Sequence, residues 1–191
     1  MTYFDILAQY DWEQTTQSIV AQTADNVAKV IKNGVQSAED FKALVSPAAE
    51  PFLEEMAYES HRLTRQRFGK VIQLYVPIYL SNFCENRCVY CGFNAGNHIT
   101  RKVLSVDEIK QELLAIKNNP FDHLLIVTGE APKKSGIAFL AEAVKEAKMH
   151  FHQVSIEVQP LESNEYKQLK EIGLHGVFVY QETYNATAYP T

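Results

Sequence analysis

The stretch VIQLYVPIYLSNFCENRCVYCGF, residues 71–93, decides how this chain is to be read. Its first half is crowded with β-branched and aromatic residues, which predicts a strand. Pro77 interrupts that run, so the expectation is two short strands or one strand with a bulge. Its second half holds every cysteine of the chain, Cys84, Cys88 and Cys91, spaced C-x3-C-x2-C. A strand that runs straight into three clustered thiols suggests a fold that presents chemistry at strand ends.

Working outward toward the C-terminus, strands and helices alternate. In SVDEIKQELLAIKNN, Ser105 and Glu108 form a capping box, and Ile109, Leu113 and Ile116 give an apolar stripe. HLLIVTGE is a short continuous apolar run, the mark of a strand buried on both faces. GIAFLAEAVKEAKMHF places Ile137, Leu140, Ala141 and Val144 on one helical face. QVSIEVQP reads as the next strand, NEYKQLKEIG as a helix ending at Gly173, and GVFVYQETY as a fourth strand. The order β, α, β, α, β, α, β implies parallel strands joined by right-handed crossovers. Such a sheet carries its chemistry at the strand C-termini. Polar residues collect there: NFC, TGE, QP and QETY each follow a strand.

Toward the N-terminus the pattern is helical. SIVAQTADNVAKVIKNG has Ile19, Val20, Val27, Val30 and Ile31 at helical spacing, with Gly34 as a stop. Ser37 is the expected N-cap of the next helix. Ser46 and Pro47 open a third that ends at Gly69, with regular helix from Pro51 onward. The expected fold class is α/β. A helical extension, residues 1–70, precedes a partial (β/α) barrel of about four βα units, residues 71–191.

Of 191 residues, 46% are apolar and 21% charged, and the net charge is −5. That acidic balance argues against a general nucleic-acid binder. No run of about 18 apolar residues predicts a membrane span. MTYFDILAQYDWEQ lacks the basic-then-apolar order of a secretory signal. An odd cysteine count then suggests a reducing compartment, so a cytoplasmic location is expected.

The three thiols have three readings. With His98 they make a Cys3His zinc site. They are also compatible with three reduced, inert structural cysteines. In the third reading they hold a [4Fe–4S] cube, with one iron left open for a ligand. Elsewhere, Val154, Ile156 and Val158 alternate with Ser155, Glu157 and Gln159, so one face of that strand is polar. A carboxylate on the inner face needs a partner or a ligand, which singles out Glu157. His98 reads as a loop histidine; Arg101 and Lys102 offer charge to a carboxylate or face solvent, and solvent is the expectation.

C-x3-C-x-aromatic-C, with Tyr90 as the aromatic residue, resembles the cluster loop of the radical S-adenosylmethionine (SAM) superfamily. LTRQRFG, LLIVTGEAP, IEVQPL and VYQETYN extend the resemblance to its tyrosine lyase (2-iminoacetate synthase, ThiH-like) branch. That branch also holds the tyrosine lyase of hydrogenase maturation and tryptophan lyase. The resemblance implies that Cys84, Cys88 and Cys91 hold a [4Fe–4S] cluster whose open iron is chelated by SAM. It implies SAM contacts from Tyr90, Phe93, Thr128, Gly129, Glu130, Glu157 and Glu182, and a substrate pocket using Gln159, Tyr180 and Gln181.

The implied reaction is radical cleavage of the Cα–Cβ bond of L-tyrosine to p-cresol and 2-iminoacetate, for thiazole formation in thiamine biosynthesis. The implied partners are a ThiG-like thiazole synthase and a flavodoxin- or ferredoxin-type electron donor, without nucleic acid or membrane. The other readings are another lyase of that branch, of the hydrogenase-maturation tyrosine lyase or tryptophan lyase kind, and a non-catalytic metal-binding fragment. The chain stops after the fourth expected strand, so the expectation is the first half of a barrel, inactive by itself.

Overall fold

A computed structural model of the chain describes residues 2–179 together with Gln181 and Tyr184. The chain divides into two compact units, Met1–Ile72 and Gln73–Thr191.

The first unit is helical. Helices α1 (Tyr3–Leu7), α2 (Trp12–Val20), α3 (Ala24–Asn33) and α4 (Ala38–Leu44) precede a 3-10 segment, Pro47–Phe52, and α5 (Leu53–Phe68). The helical pattern of residues 18–34 is thus two helices. Thr23 breaks it, because its side chain accepts from Asn26 N–H and so starts α3 afresh. Ser37 caps α4 in the same way, accepting from Asp40 N–H. Pro51 lies in the 3-10 segment, and the regular helix begins just after it. Gly34 and Gly69 end α3 and α5 at positive φ, 75° and 64°. Val27, Val30, Ala43 and Ala49 form the core of this unit.

The second unit is a parallel sheet with helices between its strands: β1 (Tyr75–Ser81), α6 (Val106–Lys117), β2 (His123–Thr128), α7 (Ile137–Lys148), β3 (Gln153–Glu157), α8 (Ser163–Glu171) and β4 (Gly176–Val177). The strand order is β1-β2-β3-β4, so each strand lies beside its sequence neighbour. Strand β1 is one strand. It runs through Pro77, with a register irregularity between Tyr79 and Ser81. The ladder survives Pro77 because β1 is an edge strand, where a nitrogen without hydrogen can face the open side. Among the described residues the fourth strand pairs through Gly176 and Val177, opposite Ser155 and Ile156, and does not continue into Phe178 and Val179.

Alternation along the strands builds the core on one face. Ile78, Leu80, Leu124, Ile126, Val154 and Ile156 pack with Ile109, Leu113, Leu140, Val144 and Leu169 of the helices. The capping box of Ser105 and Glu108 starts α6 as expected. Lys102, then the N–H and hydroxyl of Ser105, hold the Glu108 carboxyl down at about 2. Among the described residues no helix is long and apolar enough to cross a membrane.

On the other face, His123 is buried at the start of β2. Its Nε2 lies 2.8 Å from Ser155 Oγ, and its ring stands edge-on to His175 at 5.6 Å. Burial, and then the charge of His175, lower its pKa below the usual 6.5. The unfolded chain therefore takes up the proton first as the pH falls. His123 contributes stability that is complete above about pH 6.5 and is lost as the pH drops toward the lowered value. The urea midpoint should fall between pH 7 and pH 5.5, and His123→Gln should flatten that fall. Equal slopes in the two proteins would exclude His123 as its source.

Candidate functional site

The parallel register brings the ends of the strands to one level. Tyr79 pairs with Val127 and Val127 with Glu157, while Ser81 pairs with Thr128. Two segments identified in the sequence, the cysteine loop after β1 and TGE after β2, therefore emerge side by side, and Glu157 stands one strand away.

The backbones of these segments are joined directly. Gly129 N–H donates to Ser81 O at 3.0 Å, and Glu85 N–H donates to Glu130 O at 2.8 Å. The approach is close enough to require glycine: a Cβ on Gly129 would lie 2.3 Å from the Phe83 carbonyl oxygen and 3.0 Å from Cys84 Cβ. The side chains add a link, Asn86 Nδ2 donating to Glu130 Oε2 at 2.5 Å. Glu130 thus fastens the cysteine loop to β2, a role its place in TGE does not announce.

Within the loop, short turns replace regular structure. Cys91 N–H donates to Cys88 O, and Asn94 N–H to Cys91 O, both at 3.1 Å. Asparagine side chains take the remaining carbonyls. Asn94 Nδ2 donates to Cys88 O at 2.9 Å, and Asn97 Nδ2 to Cys91 O and Gly92 O at 3.2 and 3.1 Å. Phe93 N–H points at Cys91 Sγ, 3.4 Å away, which suits a thiolate. All three cysteines are outside disulfides; Cys88 is exposed, and Cys84 and Cys91 are half-buried.

Arg101 is the residue the sequence reading misplaced. It does not point into solvent. Its guanidinium donates to four loop carbonyls, those of Asn82, Phe93, Asn94 and Asn97, at 2.6, 2.7, 2.6 and 3.3 Å. The sequence signal for it was faint: one arginine just beyond a turn-rich loop with many carbonyls to satisfy. Lys102 pairs with Glu108 at 2.5 Å.

The other candidates divide by position. Phe93 is half-buried with its ring edge-on to Tyr79 at 5.9 Å, whereas Tyr90 is 64% exposed. Thr128 alternates with Leu124 and Ile126, so its side chain belongs to the helix-covered face and only its backbone is offered at the strand end. Glu157 is half-buried. Gln159 is buried and donates to Ser135 O at 3.0 Å, tying the β2–α7 loop to the end of β3. Gln181 is exposed, and Tyr180 and Glu182 lie outside the described residues.

A model of the radical SAM superfamily matches residues 78–189, which takes in the described sheet from Ile78 of β1 onward. The chain belongs to this superfamily. It is 43% identical over 188 residues to the 2-iminoacetate synthase of Escherichia coli (strain K12), which covers 98% of this chain and 50% of that protein. It is 29% identical over 167 residues to the 3-methylornithine synthase of Methanosarcina acetivorans, covering 84% of this chain and 47% of the relative. The chain thus spans about half the length of the curated relatives it matches. Among solved structures, the [FeFe]-hydrogenase maturase HydG from Carboxydothermus hydrogenoformans superposes with TM-score 0.76 at 24% identity, over 95% of this chain and 42% of that one. Methylornithine synthase (PylB) gives 0.62 at 22%, over 91% and 48%. These likenesses show the fold.

A radical SAM family implies a [4Fe–4S] cluster and SAM, and the donor set fits them. Each thiolate of a cube binds its own iron, so three thiols need not converge on one point. Among the described residues no three His, Cys, Asp or Glu side chains are gathered to ligate one ion, as a Cys3His zinc site with His98 requires. Among the described residues Gln159 Oε1, just past the end of β3, is buried without a hydrogen-bond partner, so polar capacity is left over there.

Because the Gly129 contact leaves no room for a methyl group, Gly129→Ala should push the cysteine loop off β2. We expect a loss of about 1–3 kcal/mol in urea unfolding, and faster amide exchange at Glu85, whose N–H is bonded across the contact. Unchanged exchange at Glu85 would show that the loop tolerates the methyl group.

Proposed function

We propose that the chain carries the cluster-binding and SAM-binding part of a 2-iminoacetate synthase, a tyrosine lyase of thiamine thiazole formation. One observation carries this reading: 43% identity to a 2-iminoacetate synthase along 98% of the chain. The three-thiol loop at the end of β1 supports it. The 3-methylornithine synthases match less of the chain at lower identity, and nothing in the site favours their activity.

In this reading Cys84, Cys88 and Cys91 hold the cluster as thiolates. When bound and reduced, the cluster would supply the electron for radical chemistry with SAM, directed at L-tyrosine. The protein's share is binding, orientation and exclusion of water. The main chain of Thr128 and Gly129 is offered to the SAM amino group at the end of β2. Glu130 contributes by fixing the loop through Asn86. Phe93, braced by Tyr79, and Tyr90 border the adenine. Glu157, on the inner face of β3, and Glu182 supply carboxylates for SAM; a carboxylate accepts two hydrogen bonds and so suits a ribose diol. Gln159, Tyr180 and Gln181 border the substrate. A thiazole synthase and a flavodoxin- or ferredoxin-type donor complete the proposal, in the cytoplasm.

Anaerobic reconstitution tests it. About four irons per chain are expected, with a reduced-cluster spectrum that changes when SAM is added. Changing any of Cys84, Cys88 or Cys91 to Ala should abolish stable iron binding. One tightly held zinc, with no iron signal that answers to SAM, would sink the reading.

A further inference from the structure

We infer that Arg101 is the positioning residue of the cluster loop, holding its two flanks at the separation the three thiolates need. This deepens the proposed function and rests on the reading of Cys84, Cys88 and Cys91 as cluster ligands.

The loop is a long excursion between Ser81 and the return segment at Val103, which bridges antiparallel to Ser81. Something must close its neck. Arg101 does so with one planar group. Asn82, on the entering side, precedes Cys84 by two residues; Phe93, Asn94 and Asn97, on the leaving side, follow Cys91. A single guanidinium receives carbonyls from both sides. Two of its acceptors belong to Asn94 and Asn97, whose own amides hold Cys88 O and Cys91 O. The chain of contacts therefore runs from Arg101 through two asparagines to the main chain of two cysteines.

Arg101 is itself fixed. Asn82 Nδ2 donates to Thr100 O at 2.8 Å, and Lys102 N–H donates to Asn82 Oδ1 at 2.7 Å, so the residues on either side of Arg101 are pinned to the loop's entry. Four carbonyls fit the five donors of a guanidinium, whereas an ammonium has three donors and no fixed plane. Lysine would keep the charge and lose the geometry. A neutral side chain would leave three half-buried acceptors and one exposed one to find water, and the loop would open at its neck.

The test compares wild type, Arg101→Lys and Arg101→Met with Lys102→Gln. The last removes the neighbouring charge and touches no carbonyl of the cysteine loop through its side chain. After anaerobic reconstitution, iron loss to an excess of chelator is followed, and the electron paramagnetic resonance spectrum of the reduced cluster is recorded with and without SAM. Residues that orient metal ligands from behind are typically worth about 10–100-fold in metal retention. Both Arg101 variants should lose iron faster by about that factor, with a broadened spectrum and a weaker response to SAM, while Lys102→Gln behaves as wild type. Without metal, both Arg101 variants should keep the circular dichroism of the wild type and a cooperative melt.

Wild-type iron retention in Arg101→Lys would overturn the inference. So would unfolding of both metal-free Arg101 variants, which would make Arg101 a support of the fold at large. Equal loss in Lys102→Gln would reduce the effect to net charge. A wild type that takes up no cluster would instead refute the underlying reading.

Discussion

A parallel sheet sends every strand toward the same edge, and that constraint organises the site. Separate excursions of the chain, each closed by a helix, return to one level at Tyr79, Val127 and Glu157. The core facing the helices is aliphatic and makes no demand on the other face. The residues just past the strand ends are then free to be polar, to turn sharply, and to meet each other rather than the core. The contact of Gly129 with Phe83 is the tightest consequence, since two neighbouring strands can deliver their exits side by side only where one of them lacks a side chain.

A loop that carries ligands faces a second demand. Its turns leave carbonyls pointing in many directions, and each needs a donor. Here the donors come from side chains with fixed planes, the amides of Asn94 and Asn97 and the guanidinium of Arg101. Planar donors fix direction as well as distance. The loop is ordered by hydrogen bonds from its own polar residues while its thiols stay out of disulfides, as a metal-binding loop requires.

Much of this was legible in the sequence because its causes are local. Ser37, Ser105 with Glu108, and Gly69 mark helix ends through bonds spanning three or four residues, which spacing encodes directly, and Gly34 does so through its positive φ. The alternation of Val154, Ile156 and Val158 with Ser155, Glu157 and Gln159 assigned the faces of β3, and the three hydrophobic residues do lie in the core. The break at Thr23 was missed because the apolar residues keep helical phase across it, while one hydroxyl cap overrides them. Arg101 and the Asn86–Glu130 link were illegible for another reason. Their partners lie up to 19 and 44 positions away, and several are carbonyls that any residue type would present.

Pro77 has a bearing beyond the geometry of β1. An exposed strand edge invites pairing with another copy of itself, and β1 is a seven-residue edge. The return segment meets it only near its end, where Val103 bridges to Ser81 and Leu104 N–H donates to Leu80 O at 2.9 Å. Midway along the rest, proline removes a donor from the row that an incoming strand would need. Pro77 thus makes that edge a poorer template for sheet-to-sheet pairing.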